Sequence, residues 1–320
     1  MEKLMLILNP ISGTASKRGL AEKAEARLTE AGFHVDVELT TARGDATRLA
    51  LKAVSLDYDA VVAAGGDGTV NETARSLCGS RVAMGILPTG SGNGLARHLD
   101  IPMDISKALT VIEEHHIIEA DYGTVNHSPF FCTFGVGFDA AVSHRFALQN
   151  RRGKMMYLKS AIDEYLHYHP QEYTISANGK VLTEKAFLIA VCNASQYGNN
   201  AYIAPEASIT DGLLDFTIIH AGNPIDTALV GVDLLTGYIN KNILIHSFKA
   251  PAAVITRHEA GPAHLDGEPV TLPDSMYIQC HHRNLKLFTP KTGEEFRPLI
   301  TPIRSFFNDF VYEIDKMFHR

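Results

Sequence analysis

Cysteine is scarce: Cys78, Cys132, Cys192 and Cys280 are scattered through 320 residues with no paired spacing. That excludes a disulfide scaffold and a thiolate metal cluster, and reads as reduced, buried thiols. Basic charge is not in excess either. The 29 Lys and Arg face 36 Asp and Glu, and a formal charge of −7 argues against nucleic acid as the main partner. No apolar run approaches the roughly 20 residues of a membrane span. The apolar stretch Leu4 to Leu8 is too short for a signal sequence. A soluble, cytoplasmic chain without a transmembrane segment is therefore expected. Internal repeats, low-complexity segments and a long linker are missing too. So are the Walker pattern G-x-x-x-x-G-K-[S/T] and, at the first turn, the dinucleotide fingerprint G-x-G-x-x-G.

What is present is a loop, Gly65-Gly66-Asp67-Gly68-Thr69-Val70-Asn71-Glu72. The β-branched run from Ala60 to Ala64 leads into it as a buried parallel strand. Thr69 and Glu72 have capping-box spacing, which predicts a helix starting at Val70. Glycines at a strand end let a ligand approach backbone N–H groups, and a helix N-terminus favours an anion. Asp67 would repel a phosphate there unless a metal ion sits between them. Mg²⁺ is the ordinary bridge.

Upstream and downstream, strand and helix alternate. Strands are predicted at residues 4–8, 35–39, 60–64, 83–87 and 117–122, with helices between them, for a doubly wound, mostly parallel sheet. Asn9, Thr40, Asp67 and Ser91 all follow strands, so they should share the carboxyl edge where open α/β sheets bind ligands. After Phe130 the pattern becomes a mostly antiparallel β-sandwich. Its strands are predicted at 130–136, 173–177, 181–183, 187–193, 213–219, 248–256, 276–281 and 285–288, with helices at 139–148 and 157–168. Two domains follow: 1–124, a nucleotide-binding α/β domain, and 125–297, the sandwich. The amphipathic stretch within 298–320 (Phe306 to Phe318) is expected to pack back on the first domain, with interfacial anchoring as the alternative. A basic run, Arg145 to Lys159, is a solvated face or an anionic-membrane contact.

In the second half, Leu265-Asp266-Gly267-Glu268-Pro269 places two carboxylates on a tight turn. Such a pair can supply a general base and a metal partner, or be an exposed hairpin tip. Asp139 reads as a helix cap, Asp211-Gly212 as a turn, and the His115-His116 and His281-His282 pairs as structural.

Four motifs in order carry a resemblance: Asn9-Pro10 with Ser12-Gly13, T-x-x-x-G-D-A from Thr40 to Ala46, G-G-D-G-T-x-N-E, and L-P-x-G-S-G-N through Ser91 and Asn93. Together they resemble the diacylglycerol kinase catalytic-domain superfamily, which includes bacterial lipid kinases, sphingosine kinases and ceramide kinases. The resemblance implies an ATP- and Mg²⁺-dependent lipid kinase. ATP would lie on Asn9, Pro10, Ser12, Gly13, Thr40, Gly65, Gly66, Asp67, Gly68, Thr69, Asn71, Ser91 and Asn93. Asp67 and Asp121 would hold the catalytic Mg²⁺ through water. Ser208, Asp211 and Leu213 match the family's structural Mg²⁺ loop. Asp139 matches a lipid head-group ligand of sphingosine kinases. Glu268 is implied as the proton acceptor, with Asp266 as its rival. The partner is then a lipid at a membrane surface, reached by peripheral contact from the cytoplasm, and homodimerisation is left open. An NAD kinase-like enzyme shares G-G-D-G and a β-rich second half, but G-S-G-N and L-D-G-E speak against it. A catalytically dead lipid- or nucleotide-binding protein is disfavoured by the intact carboxylates.

Overall fold

The computed structural model describes residues 2–11, 19–147, 168–197, 201–222, 230, 233–234, 239 and 242–291. Ser12, Gly13, residues 157–167 of the helix expected at 157–168, the basic run beyond Arg145 and the C-terminal amphipathic stretch lie outside the described residues.

The first half is the expected α/β unit. Strands β1 (Glu2–Leu8), β2 (Phe33–Leu39), β3 (Ala60–Gly65) and β4 (Ala83–Pro88) alternate with α1 (Leu20–Glu30), α2 (Asp45–Ser55) and α3 (Asp67–Leu77). The short α4 (Gly94–His98) and α5 (Ile105–Glu113) follow. The strands are parallel in the order β4-β3-β1-β2. Residues 60–65 and 83–88 are buried throughout, as strands covered on both faces must be. Helices α1 and α5 pack together, as do α2 and α3. The chain moves from β1 to β2 in one direction and back past β1 to β3 in the other. This reversal puts the strand-end loops around a crevice.

The second half is antiparallel. It contains β5 (Ile117–Val125), β6 (Ser128–Phe130), β7 (Thr133–Gly137), α6 (Phe138–Ala147), β8 (Gln171–Ala177), β9 (Lys180–Cys192) and β10 (Leu214–His220). Then come β11 (Ile245–Ala250), β12 (Ala252–Arg257), β13 (Gly261–Leu265), β14 (Glu268–Leu272) and β15 (Ser275–Phe288). Four details depart from expectation. Residues 117–122 were expected to extend the parallel sheet, but β5 pairs antiparallel with β15. The two runs at 276–281 and 285–288 are one strand, with a register shift between His281 and Leu285. Its last residues lie parallel to β4 through Leu287 and Met84, so one strand ties both sheets into a single hydrogen-bonded network. Likewise residues 181–183 and 187–193 fuse into β9, while the stretch 248–256 breaks at Pro251 into β11 and β12. Proline lacks the N–H that a continuous ladder needs.

Two large apolar cores match the two halves. Leu4 to Leu8, Val61 to Ala64, Leu109 and Leu287 belong to one. Phe130, Phe134, Tyr173, Val191, Phe216 and Met276 belong to the other. Leu285, Leu287 and Phe288 thus return the chain to the first core before residue 291.

Candidate active site at the junction of the two halves

The glycine loop ends β3 and starts α3, but the capping box expected at Thr69 and Glu72 does not form. The helix begins at Asp67 behind Gly66. Its two box residues instead hold neighbouring loops. Thr69 Oγ1 accepts from Asn9 Nδ2 (3.1 Å), and Glu72 Oε1 accepts from the Gly44 N–H (3.0 Å). Thr40, buried at the end of β2, is fixed by its own N–H to the Leu8 carbonyl. Asp45 accepts from the Thr41 and Ala42 amides and from Thr41 Oγ1. These bonds hold its carboxyl well below the usual range. The T-x-x-x-G-D-A motif is thus a self-capped turn beside the cradle.

The two glycine loops touch. A Cβ on Gly90 would lie 2.5 Å from the Gly66 Cα, so a side chain there would separate them. Asp67 joins them: its Oδ2 accepts from the Asn93 N–H (3.0 Å) and its Oδ1 from the Gly94 N–H (2.7 Å). The carboxylate that seemed out of place among phosphate-binding turns is held by backbone donors at the start of α4. Asn93, at φ +54°, closes the same loop by bonding Gly90 through both its side-chain atoms. Ser91 and Gly68 are exposed at the mouth, and Pro10 is exposed after β1. Deeper in, Asn71 Nδ2 and Arg75 Nε are buried donors without a protein acceptor. They stand one turn apart on α3.

Across the junction comes the Asp266–Glu268 turn. It is the two-residue turn of the β13–β14 hairpin, with Asp266 at φ +50° and Gly267 at φ +80° and Leu265 paired with Glu268. Asp-Gly is the ordinary occupant of such a mirror-image turn. The hairpin-tip reading is therefore correct for the backbone, although the tip is docked, not free. An extended turn would have aimed both carboxylates to one side, whereas here they diverge. Asp266 turns inward and accepts from the amides of Phe131, Cys132 and Thr133 at 2.7–3.2 Å. Burial pushes its pKa up, while those amides and Arg75 pull the other way. Glu268 turns toward the α/β half, where its Oε2 lies 3.3 Å from Arg43 Nη2 and 3.8 Å from Arg75 Nη2. Cys132 sits between the motifs. Burial pushes its thiol well up, and the Asp266 and Asp67 carboxylates push it further.

The other expected site residues separate from this group. Asp121 is fully buried. It accepts from the Gly212 N–H (2.6 Å), the Arg283 N–H (2.7 Å) and His282 Nδ1 (2.8 Å), which join β5 to the 208–213 loop and to the bulge of β15. Its Oδ1 takes two of these donors and its Oδ2 the third. Asp139 is the second residue of α6 and not its cap; its Oδ1 accepts from the Ala140 N–H (2.8 Å), and its Oδ2 accepts from Tyr197 Oη (2.8 Å) and His264 Nε2 (3.0 Å). Its side chain keeps 12% of its surface exposed.

The metal expectations divide in the same way. Asp67 keeps the second lone pairs of its two oxygens, so it fits a Mg²⁺ whose remaining ligands are phosphate oxygens and water. No group of three His, Cys, Asp or Glu suited to a metal occurs among the described residues. The 208–213 loop does not fit. Asp211 Oδ1 accepts from the Leu213 N–H, and Asp211 Oδ2 pairs with Lys249 Nζ at 3.1 Å. The same ammonium reaches Asp215 Oδ2 (3.3 Å) and the Glu206 carbonyl (3.0 Å). A lysine cation stands on the carboxylate that a divalent ion would need. The large groove of 850 Å³ along β8, β12 and β15, lined by Thr124, Asn126, Ser176 and Tyr277, has no charged side chain and is no part of this chemistry.

Known proteins share this architecture. Residues 3–125 match the diacylglycerol kinase catalytic domain, and residues 132–289 match the YegS C-terminal NAD kinase beta sandwich-like domain. A probable YegS-like lipid kinase of Chromohalobacter salexigens is 30% identical, over 88% of each chain. The Bacillus subtilis diacylglycerol kinase is 29% identical, over 92% of this chain and 99% of its own. A putative diacylglycerol kinase from Bacillus anthracis superposes with a TM-score of 0.77 at 25% identity, covering 91% of this chain and 98% of that one. The chain belongs to the diacylglycerol kinase and YegS-like lipid-kinase superfamily.

Arg43, Arg75, His264, Tyr197 and Lys249 were not found by sequence reasoning. Arg75 had a usable signal, since it follows Asn71 by four residues on the face of α3 that the motif begins. The others act through contacts between distant segments.

Proposed function

We propose that this chain transfers the γ-phosphoryl group of ATP to a lipid hydroxyl, with Glu268 as the proton acceptor. The observation that carries this assignment is the divergence of the two carboxylates. Asp266 is spent on three amides, while Glu268 reaches Arg43 and Arg75 of the α/β half. Asn9, Thr40, the Gly65–Thr69 loop and the Ser91–Asn93 loop hold the nucleotide, and the unspent donors of Asn71 and Arg75 await a polar guest. Asp67 would hold a Mg²⁺, which would supply charge neutralisation at the phosphates.

Glu268 takes the hydroxyl proton as the lipid oxygen bonds to the γ-phosphorus. The bond to the bridging oxygen breaks, and its electron pair leaves with ADP. Arg43 and Arg75 flank the carboxylate, so the same guanidiniums stand near the transferred charge. Most of the rate comes from positioning and electrostatics.

The lipid is met at a membrane surface by peripheral contact. No helix among the described residues is long and apolar enough to span a bilayer. Residues 1–124 would form the nucleotide domain and 125–297 the lipid domain. The strand β15 binds them, so the cleft has one fixed wall.

The test is a panel of diacylglycerol, sphingoid base, ceramide and NAD incubated with labelled ATP and Mg²⁺. Phosphorylation of at least one lipid is expected. Phosphorylation of NAD alone, or of nothing, sinks the reading.

A further inference from the structure

We infer that His264 is a positioning residue that sets the direction of Glu268 by holding the Gly267 peptide. The imidazole is 2% exposed, directly before the turn, and both its nitrogens are used. Nε2 faces Asp139 Oδ2 at 3.0 Å, and a carboxylate only accepts, so Nε2 carries the proton. Nδ1 is then the acceptor, and the Gly267 N–H donates to it at 3.3 Å. This fixes the tautomer and links the first turn of α6 to the middle of the turn that bears Glu268. Carboxylate–imidazole pairs orient ligands by the same logic at metal sites.

The surroundings are built around this pair. Tyr197 Oη donates to the same Asp139 oxygen (2.8 Å), and the Ala140 N–H takes the other (2.8 Å). The Tyr197 ring meets the imidazole edge-on. A Cβ on Gly135 would lie 2.3 Å from His264 Nε2 and 2.5 Å from Asp139 Oδ2, so β7 leaves out a side chain where the two meet. A second bond, from His144 Nε2 to the Val270 carbonyl (2.8 Å), straps α6 to the other arm of the hairpin. Asp266 anchors the turn on one side through the 131–133 amides, and His264 anchors its next peptide. Gly267, at φ +80°, has no side chain to fix its own peptide, and the His264 Nδ1 acceptor supplies that hold. Glu268 follows at once.

The inference rests on Glu268 as the base, and the test separates the two. His264→Asn keeps an acceptor near the Nδ1 position for Gly267 and loses the Asp139 link. His264→Gln keeps a donor near the Nε2 position and loses the Gly267 link. Turnover, the KM for ATP and melting temperature are measured for both beside wild type. His264→Gln is expected to lose about tenfold or more in kcat with KM for ATP within about twofold, because a small misplacement of a catalytic group is costly. His264→Asn is expected to retain more of kcat, although it gives up the shorter bond.

If the melting temperatures fall while both keep wild-type kcat, or if Asn loses as much as Gln, the imidazole is a core residue only. Tyr197→Phe removes one hydroxyl and leaves the ring. It is expected to lower kcat several-fold with little change in melting temperature. Unchanged kcat there overturns the inference even if the His264 variants do not fold. A wild type inactive on every lipid overturns the kinase reading instead.

Discussion

The two halves of the molecule hold their chemistry in different ways. In the α/β half, each site residue follows a strand and is held by bonds to the next loop. Asn9 meets Thr69, Glu72 meets Gly44, and Asp67 meets Asn93 and Gly94. In the sandwich half, the decisive groups are placed by segments more than 100 residues away. Asp266 is capped by residues 131–133, His264 by Asp139, and Glu268 by Arg43. The lesson is that a motif in the first half is a piece of structure, whereas the motif in the second half is only a place where structure arrives. Asp266 and Glu268 are two residues apart and have opposite surroundings.

Glu268→Gln breaks the comparison hardest. It removes the proton acceptor and no phosphate ligand, so lipid phosphorylation should fall by about two to four orders of magnitude. ATP affinity by titration should stay within a few-fold. Lost nucleotide binding with normal turnover per bound complex would return the role of base to Asp266.

Asp67→Asn tests the first half. One acceptor oxygen becomes an NH₂ facing the Asn93 or Gly94 N–H, so the two glycine loops should separate. Turnover should drop about a hundredfold, with a lower melting temperature as well. Near-normal turnover would remove Asp67 from the mechanism.

A smaller effect is expected at the seam between the halves. His98, on α4, accepts from the Ser195 N–H at Nδ1 (3.2 Å), and burial pushes its pKa down to about 4. A folded pKa below the unfolded value of about 6.5 means that the neutral ring is the stable one. Its contribution is therefore complete above about pH 6.5 and is lost as pH falls toward 4. The loss is roughly 2 kcal/mol after allowance for the ring's partial exposure. Urea midpoints measured from pH 7.5 to 4 should fall less steeply for His98→Asn than for wild type, and parallel curves would exclude His98 as the cause.

The smallest effect is at Lys249. Because its ammonium serves Asp211, Asp215 and the Glu206 carbonyl, melting temperature without nucleotide should not change when magnesium is replaced by a chelator. Lys249→Met should cost about 1–2 kcal/mol, because Asp215, with 14% of its side chain exposed, loses its cation. A wild-type melting temperature that rises with magnesium and loses that rise in Asp211→Ala would restore the loop as a metal site.

The sequence by itself determined the α/β order, the change to antiparallel strands, and the four strand-end loops. Those features depend on local quantities: runs of buried apolar residues, glycine at turns, and alternation of period two or 3.6. It also marked Asp-Gly as a turn, because the backbone conformation there is a property of those two residues. Local reasoning misplaced the start of α3, since Thr69 and Glu72 spend their side chains on Asn9 and Gly44 instead of their own helix. It could not join residues 276–281 to 285–288 as the strand that unites both sheets. Only the tertiary structure decided which carboxylate meets backbone amides and which meets arginines, what Asp121 and Asp139 are bonded to, and that a lysine stands at Asp211. Each of these depends on which donor or cation a distant segment brings within hydrogen-bond reach. No spacing along the chain encodes that.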